Sequence, residues 1–156
     1  MKQNTIMNYT YWSKRITEVK VNNGRGKLSF FGLYAPEKGR VEENKNFYDP
    51  LQEILNETNK KDFILPFTDL NARIRNAEIL NSVGGFGEPV TNANGLKLRD
   101  FDMHNNMQIM NSFYTQKYIY THTYTWSPRN SKTVIDYFTA NRKLSKLFLE
   151  VSLQRK

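Results

Sequence analysis

The stretch from Leu65 to Ile74, LPFTDLNARI, places an acid, an amide and a cation at alternate positions directly after an apolar run. Alternate side chains of an extended strand point the same way, so Asp69 and Asn71 are predicted to share one side. A carboxylate can orient or deprotonate a water, and an amide can donate hydrogen bonds to a phosphate oxygen without adding negative charge. Phosphate chemistry is therefore one interpretation. A surface turn is the other, because Asp and Asn are common turn residues.

The phosphate interpretation requires a rigid strand that ends at Asp69, and Asp62 to Leu65 (DFIL) predicts a short buried one. Upstream, Arg15 to Val21 (RITEVKV) and Lys27 to Tyr34 (KLSFFGLY) have the composition of strands. The Asn and Gly residues between them are typical of a tight turn, so we predict an antiparallel hairpin.

The second half of the chain predicts three further strands. They are Met107 to Asn111, Thr123 to Trp126 and Thr133 to Phe138. A Ser-Pro-Arg-Asn turn separates the last two, which are predicted to form a hairpin.

Two segments carry apolar residues at helical spacing. In the first these residues are Phe47, Leu51, Ile54 and Leu55. Asp49-Pro50 places the predicted helix start near Asp49, because proline is poorly tolerated inside a helix. The second predicted helix, Leu96 to Asn105, follows a glycine-rich stretch, Asn76 to Gly95, that we interpret as a long surface loop. Helices and strands interleave without a regular βαβ rhythm, which predicts an α+β fold or a layered sandwich.

Composition narrows the classes of function. The 23 Lys and Arg against 15 Asp and Glu give a net charge of +8, which favours a polyanionic partner such as nucleic acid, although the basic residues are scattered along the chain. The absence of cysteine excludes disulfides and thiol chemistry. No stretch is apolar enough for a membrane span or a signal peptide, so we expect no membrane partner and an intracellular location, with the nucleus as one candidate compartment.

Five short motifs occur in an order that resembles the endonuclease/exonuclease/phosphatase superfamily. They are Tyr34-Ala35-Pro36, Thr68-Asp69-Leu70-Asn71-Ala72-Arg73, Asn94-Gly95 ahead of Leu98 and Phe101, Tyr124-Thr125-Trp126, and Ile135-Asp136-Tyr137-Phe138. Within the superfamily, the chain resembles the endonuclease domains of non-LTR retrotransposons and craniofacial development protein 2-like proteins. The resemblance covers roughly Trp12 to Val151.

The resemblance implies a deoxyribonuclease-I-like four-layer α/β/β/α sandwich and Mg²⁺-dependent hydrolysis of phosphodiesters, with Mn²⁺ as the alternative ion. By motif, Asp69 would bind the metal and position or activate a water, and Asn71 would hold a phosphate oxygen. Tyr34 would donate its hydroxyl to the phosphate, and Asp136 would orient a catalytic histidine. The residues predicted to contact nucleic acid are Arg73, Trp126 and Arg129.

The sequence departs from the family pattern at several positions. The Ser-Asp-His motif that supplies the family's histidine does not follow Asp136, and neither His104, at a predicted helix end, nor His122 fits that role. The family's metal-binding glutamate belongs to an earlier strand, and we interpret Glu18 as a solvent-facing residue instead of its replacement. Thr68 stands where the family has glycine, so a backbone with positive φ there would be strained.

These departures lead us to expect a domain that is incomplete at both ends, spanning residues 12–156 behind an N-terminal extension, residues 1–11. Its predicted function is that of a weakly active or inactive endonuclease-like domain. A nucleic-acid-binding remnant and a phosphatase or phosphodiesterase of small substrates are the alternatives. DNA is the expected partner, with RNA as a second choice. Exposed sheet edges would also favour a protein partner or self-association.

Overall fold

The computed structural model describes residues 5–22, 26–36, 41–59, 61–75, 82–114 and 136–148. In these ranges the strands are β1 (Thr5–Ser13), β2 (Ile16–Asn22), β3 (Lys27–Tyr34), β4 (Phe63–Asp69), β5 (Met107–Ile109) and β6 (Asp136–Asn141). The helices are α1 (Val41–Glu57), α2 (Ala93–His104) and α3 (Arg142–Ser145), and a 3₁₀ turn covers Met110–Ser112.

All six strands belong to one mixed sheet with the order β1-β2-β3-β4-β6-β5. The predicted hairpin is confirmed, because β2 and β3 pair antiparallel from Ile16 opposite Leu33 to Asn22 opposite Lys27. β3 and β4 are parallel, and α1 lies in the crossover that a parallel pair requires. The predicted α+β class is confirmed. A second packed sheet, which a four-layer sandwich contains, is not formed within the described ranges.

The sheet has two different faces. The helical face carries Ile16, Phe31 and Leu33, which pack with Phe47 of α1 and Leu98 of α2 in the main hydrophobic core. The opposite face, here the site face, carries the alternate residues of the same strands. At one end of the site face a second core forms beneath α3; its buried members are Phe63, Leu65, Met110, Ala140 and Leu144.

α1 begins earlier than predicted, at Val41 and not near Asp49, and continues through Pro50. A proline inside a helix costs about 3 kcal/mol relative to alanine. Phe47, Leu51 and Ile54 are nevertheless buried along one side of the helix, and burial of such side chains contributes about 1.5–3 kcal/mol each. Packing against the sheet therefore outweighs the local cost of the proline.

The interpretation of Glu18 as solvent-facing is wrong. Its side chain points to the helical face with Ile16 and is only 1% exposed. It accepts a hydrogen bond from Trp12 Nε1 at 3.2 Å and pairs with Lys20 Nζ at 3.4 Å, which compensates the burial of its charge. Alternation located the strand correctly, but it could not show which side of the sheet was covered.

The remaining predicted elements have mixed outcomes. α2 confirms the helix predicted over Leu96 to Asn105 but begins earlier, at Ala93. β5 confirms the first part of the strand predicted over Met107 to Asn111, whose last two residues belong to the 3₁₀ turn instead. The predicted surface loop is partly internal, since Val83 and Glu88 are buried. β6 confirms the end of the strand predicted to finish at Phe138 and extends it to Asn141, whereas its predicted partner, Thr123 to Trp126, lies outside the described residues. Among the described helices none has the length and apolar character to cross a membrane.

Candidate functional site

Three polar side chains form a row across neighbouring strands of the site face. Tyr34 is the last residue of β3, Asp69 is the last of β4 and Asp136 is the first of β6. Tyr34 pairs with Asp69 in the parallel register, and Asp69 pairs with Asp136 in the antiparallel register. Residues opposed in this way have Cα atoms about 5 Å apart and side chains on the same face. We refer to Tyr34, Asp69 and Asp136 as the polar row.

The strand directions explain why the row forms at one end of the strands. β3 and β4 run the same way, so their final residues meet, and β6 runs the opposite way, so its first residue joins them. Backbone hydrogen bonds continue beyond the strand ends, with Ala35 N–H donating to the Asp69 carbonyl at 2.9 Å. Tyr34 and Asp136 are exposed and Asp69 is half-buried, so the row is open to solvent.

Aromatic rings lie on the same face next to the polar row. Phe67 and Phe138 are opposed in β4 and β6 with ring centroids 5.6 Å apart, and Phe30 of β3 lies 6.2 Å from Phe67. Both pairs are stacked. Each ring is at least two residues from the strand end that carries the polar row. The three stacked rings therefore pack next to the row, further along the same strands. Phe67 remains 51% exposed, which leaves an apolar surface beside the carboxylates.

The loop after β4 turns sharply at Asn71, whose φ of 47° lies in the left-handed region that asparagine tolerates. Its backbone N–H donates to Asp69 Oδ1 at 3.2 Å, which fixes the orientation of that carboxylate. Its side-chain Nδ2 donates to the Ala35 carbonyl at 3.1 Å. One amide hydrogen of Asn71 is therefore used by the scaffold. Thr68 does not have positive φ, so the strain considered for that position does not arise.

Two asparagines at the start of α2 hold this loop in place. Nδ2 of the buried Asn94 lies 3.1 Å from the Pro36 carbonyl and 3.4 Å from the carbonyls of Leu70 and Asn71. Asn92 caps α2 by accepting from Gly95 N–H at 2.7 Å, and the same Oδ1 accepts from Arg73 N–H at 2.9 Å.

Gly95 allows the close approach of α2 to the loop. A Cβ atom at this position would overlap the backbone carbonyl of Arg73, so any other residue would displace the loop or the helix. These contacts explain why asparagine and glycine are suited to the two positions of the Asn94-Gly95 motif. They join the first turn of α2 to the chain that follows Asp69.

Two further contacts fix the far end of the loop. Arg73 Nη2 pairs with Glu88 Oε2 at 2.9 Å, and Glu88 is almost fully buried. Ile74 N–H donates to the Tyr137 hydroxyl at 3.1 Å, which ties the loop to β6. Burial raises the pKa of Tyr137 well above its usual range.

The charges of the row bear on whether it could hold a metal ion. Asp69 and Asp136 are opposed on adjacent strands, and opposed side chains on one face are close enough for two carboxylates to contact a single cation. Mg²⁺ is commonly bound by one or two carboxylates, with waters and substrate phosphate completing its six oxygen ligands. The donor set fits such a shared ion. It does not fit a metal held by protein alone, because no group of three or more His, Cys, Asp or Glu side chains with metal-binding geometry occurs in the described residues.

The structure thus brings together Tyr34, Asp69 and Asp136, with Asn71 in the adjoining loop. It directs Arg73 towards Glu88. The remaining predicted positions are less informative: His104 is exposed at the end of α2, while Trp126, Arg129 and His122 lie outside the described residues.

Sequence reasoning assigned no role at the site to three residues that surround it. Asn92 and Asn94 lie in a segment whose composition predicted only a loop and a helix start. Arg15 lies beside the row, with Nη1 3.4 Å from the Tyr34 carbonyl and its guanidinium 5.4 Å from the Tyr34 ring centroid. The only sequence signal for these positions was the resemblance of Asn94-Gly95 to a family motif.

Comparisons with known proteins confirm the predicted resemblance. The chain is 28% identical over 145 residues to craniofacial development protein 2 from Tragulus javanicus and from Bos taurus. These alignments cover 90% of the chain, which spans about a quarter of the length of these curated relatives, 25% and 24% respectively. No protein-family model matches the chain.

The fold is also similar to a solved structure, the endonuclease domain of TRAS1, which is a telomere-specific non-LTR retrotransposon. The TM-score is 0.59 at 12% sequence identity, and the match covers 85% of this chain and 53% of that domain. The chain therefore has an endonuclease-like α+β fold.

Proposed function

We propose that the chain binds nucleic acid and hydrolyses its phosphodiester bonds slowly, with a divalent cation held between Asp69 and Asp136. The observation that supports this most directly is the polar row. In it, two carboxylates and a phenol from distant parts of the chain meet at one exposed end of the strands. The endonuclease-like fold and the net charge of +8 support a nucleic acid as the substrate.

Each member of the site has a distinct proposed role. The Asp69 carboxylate, oriented by the Asn71 N–H, would hold the cation and position a water. Asp136 would supply the second carboxylate. The Tyr34 hydroxyl would donate a hydrogen bond to a phosphate oxygen, and the Asn71 side chain, fixed on Ala35, would contact the same group with its remaining donor. Arg15, beside Tyr34, would contribute positive charge where the phosphate approaches.

Mg²⁺ or Mn²⁺, when bound, would stabilise the negative charge that develops on the phosphate oxygens. The loop residues would keep the Asp69 carboxylate in place before substrate arrives, because Asn92 and Asn94 fix the chain immediately after Asp69. Such preorganisation matters because donors that are already oriented do not need to reorganise during the reaction.

The expected rate is low. General acid-base help from a well-placed side chain contributes about 10²- to 10⁴-fold. Within the described residues the only histidine, His104, lies at the exposed end of α2, away from the polar row. This observation favours a second candidate function, which is binding of nucleic acid without hydrolysis. That candidate predicts affinity that falls steeply with salt and no cleavage product.

Nicking of supercoiled plasmid by the purified chain tests the proposal. We expect nicking with Mg²⁺, none with EDTA, and at least about a 100-fold loss in Asp69→Asn and Asp136→Asn, in line with the loss of a charged catalytic group. Asp100→Asn is the matched control, because Asp100 is an exposed carboxylate on α2 that pairs only with its neighbour Arg99 in the described contacts. Equal nicking by Asp69→Asn and the parent chain would contradict a role for Asp69 in the cleavage.

Metal binding can be measured separately from activity. A ligand that binds only the folded state raises the melting temperature, so Mg²⁺ is expected to raise the melting temperature of the parent chain and of Asp100→Asn. The increase should disappear in the double variant Asp69→Asn/Asp136→Asn. If Mg²⁺ stabilises all three chains equally, the cation does not bind at the polar row. Retained DNA binding without nicking would identify the second candidate function.

A further inference from the structure

β1 forms one edge of the sheet and presents an unusual surface. In the described residues it pairs with β2 alone, so its other side carries backbone N–H and C=O groups available to another strand. The strand has nine residues, TIMNYTYWS, and none is charged. Its large apolar side chains are exposed: Ile6 71%, Met7 50%, Tyr9 63%, Tyr11 61% and Trp12 41%.

The opposite edge of the sheet is protected in the usual ways. β5 has only three residues, and two of them, Met107 and Ile109, are buried. The Ile109 N–H donates to the Ser82 carbonyl at 2.8 Å, so a neighbouring loop already uses part of this edge. Natural sheets commonly protect their edges by short strands, charged side chains or covering loops. β1 is long and uncharged, although its register with β2 is irregular next to Met7 and Trp12.

We infer that β1 pairs antiparallel with β1 of a second copy of this chain, about a two-fold axis at Tyr9. The stretch between the two irregularities, Asn8 to Tyr11, is regular and is the part best suited to pairing. An axis at Tyr9 places Tyr9 opposite its own copy and Asn8 opposite Thr10. The tyrosine rings would then oppose each other, and each Asn8 would oppose a polar Thr10. Aromatic pairs and hydrogen-bonding polar pairs of this kind stabilise neighbouring strands.

Charge favours a second copy at this edge over other orientations of the same two molecules. Each chain carries +8, so two copies repel over most of their surfaces. β1 contributes no charge to the contact, so pairing there opposes no like charges within the strand. An isologous contact of this kind closes on itself at a dimer, which is the commonest symmetry among soluble oligomers.

Pairing at β1 is independent of the proposed function. β2 separates β1 from the strand of Tyr34, and both β2 and β3 separate it from the strands of Asp69 and Asp136. A dimer through this edge therefore leaves Asp69 and Asp136 accessible in both copies. A failure of dimerisation would leave the nuclease proposal standing, and a failure of nicking would leave the dimer standing.

Single-cysteine variants test the contact and its register, because the natural chain has no cysteine. Cβ atoms of directly opposed residues lie about 4.5–5.5 Å apart, close to the separation that a disulfide spans. Tyr9→Cys is therefore expected to form a covalent dimer rapidly under mild oxidation. Leu96→Cys, an exposed apolar position on α2, is the control for random collision and should remain largely monomeric. Cross-linking of Tyr9→Cys no faster than that of Leu96→Cys would overturn the inference.

Light scattering on the chain without cysteine gives an independent measurement. The expected mass is twice the 18.4 kDa of one chain. Tyr9→Lys places two ammonium groups opposite each other and should reduce the mass to that of the monomer, while Leu96→Lys, with the same added charge, should stay dimeric. Circular dichroism would establish that both variants are folded. A parent chain that remains monomeric, or a dimer that survives Tyr9→Lys, would contradict pairing through β1.

Discussion

The helical face and the site face of the sheet are built from alternate residues of the same strands, yet they differ in exposure. Phe31 and Phe47 on the helical side are 1% and 2% exposed, whereas Tyr34 and Phe67 on the site face are 49% and 51% exposed. α1 and α2 cover the first face, and the end of the second that carries the polar row is open. The difference indicates that packing on the helical face contributes more to stability than packing at the open strand ends of the site face, where polar side chains can face solvent.

Truncation of one aromatic ring on each face should give the largest difference. Phe47→Ala is expected to lower the free energy of unfolding by about 3–5 kcal/mol, because it leaves a cavity in the main core. Phe67→Ala should cost about 1 kcal/mol, because half of that ring is already exposed to solvent. Urea unfolding of both variants measures the contrast. Equal losses would mean that the site face is as well packed as the helical face.

Removal of the Asn94 side chain, which joins α2 to the loop after Asp69, should have an intermediate effect on stability. Asn94→Ala removes a buried donor that contacts three carbonyls of the chain around the polar row, and is expected to cost about 1–3 kcal/mol. It should also abolish the rise in melting temperature with Mg²⁺, since the loop after Asp69 loses its support. Asn56→Ala, an exposed amide on α1, is the control and should leave both measurements nearly unchanged. A normal Mg²⁺ response in Asn94→Ala would show that the loop is held without α2.

A buried acid on the helical face should give an effect that is small per pH unit and visible as a pH dependence of stability. Asp102 of α2 is 1% exposed, and burial raises its pKa well above the usual range. Between its ordinary pKa, about 4, and the higher value, the folded state holds one more proton than the unfolded state. Stability should therefore fall as pH rises through this window, by about 1 kcal/mol per pH unit.

Asp102→Asn should remove this decrease of stability with pH, because the amide has nearly the same shape as the acid but does not ionise. The midpoint of urea unfolding, followed from acidic to neutral pH, measures the slope in each chain. Asp100→Asn, which removes an exposed acid from the same helix, should retain the slope of the parent chain. An unchanged slope in Asp102→Asn would mean that another group is responsible.

Local features of the fold were predictable from the sequence. Alternation and turn residues located the β2–β3 hairpin, and apolar spacing located both long helices. The start of α1 was not predictable from local rules, because tertiary packing of Phe47 and its neighbours overrides the cost of Pro50. β1 was missed for a different reason. Both its polar and its apolar side chains are exposed, so its sequence lacks the alternation of a half-buried strand.

The candidate site was predictable only in part. The type and spacing of Asp69 and Asn71 marked the strand end, and the resemblance added Tyr34 and Asp136. No periodicity could show that Asp69 and Asp136 are opposed, because that contact depends on the register of two distant strands. The supporting amides of Asn92 and Asn94 were hidden, since the same residue types are common in ordinary turns.

The parallel pairing of β3 with β4 has a consequence for the order in which the chain folds. β1, β2 and β3 are consecutive antiparallel strands that can associate through short turns, whereas β4 reaches β3 only after the crossover through α1 has closed. Contacts between distant segments carry a larger loop-closure cost and generally form late. The polar row needs this crossover and also β6, so its three side chains meet only when nearly the whole sheet has assembled. Recovery of function during refolding should then lag behind recovery of the first hairpins.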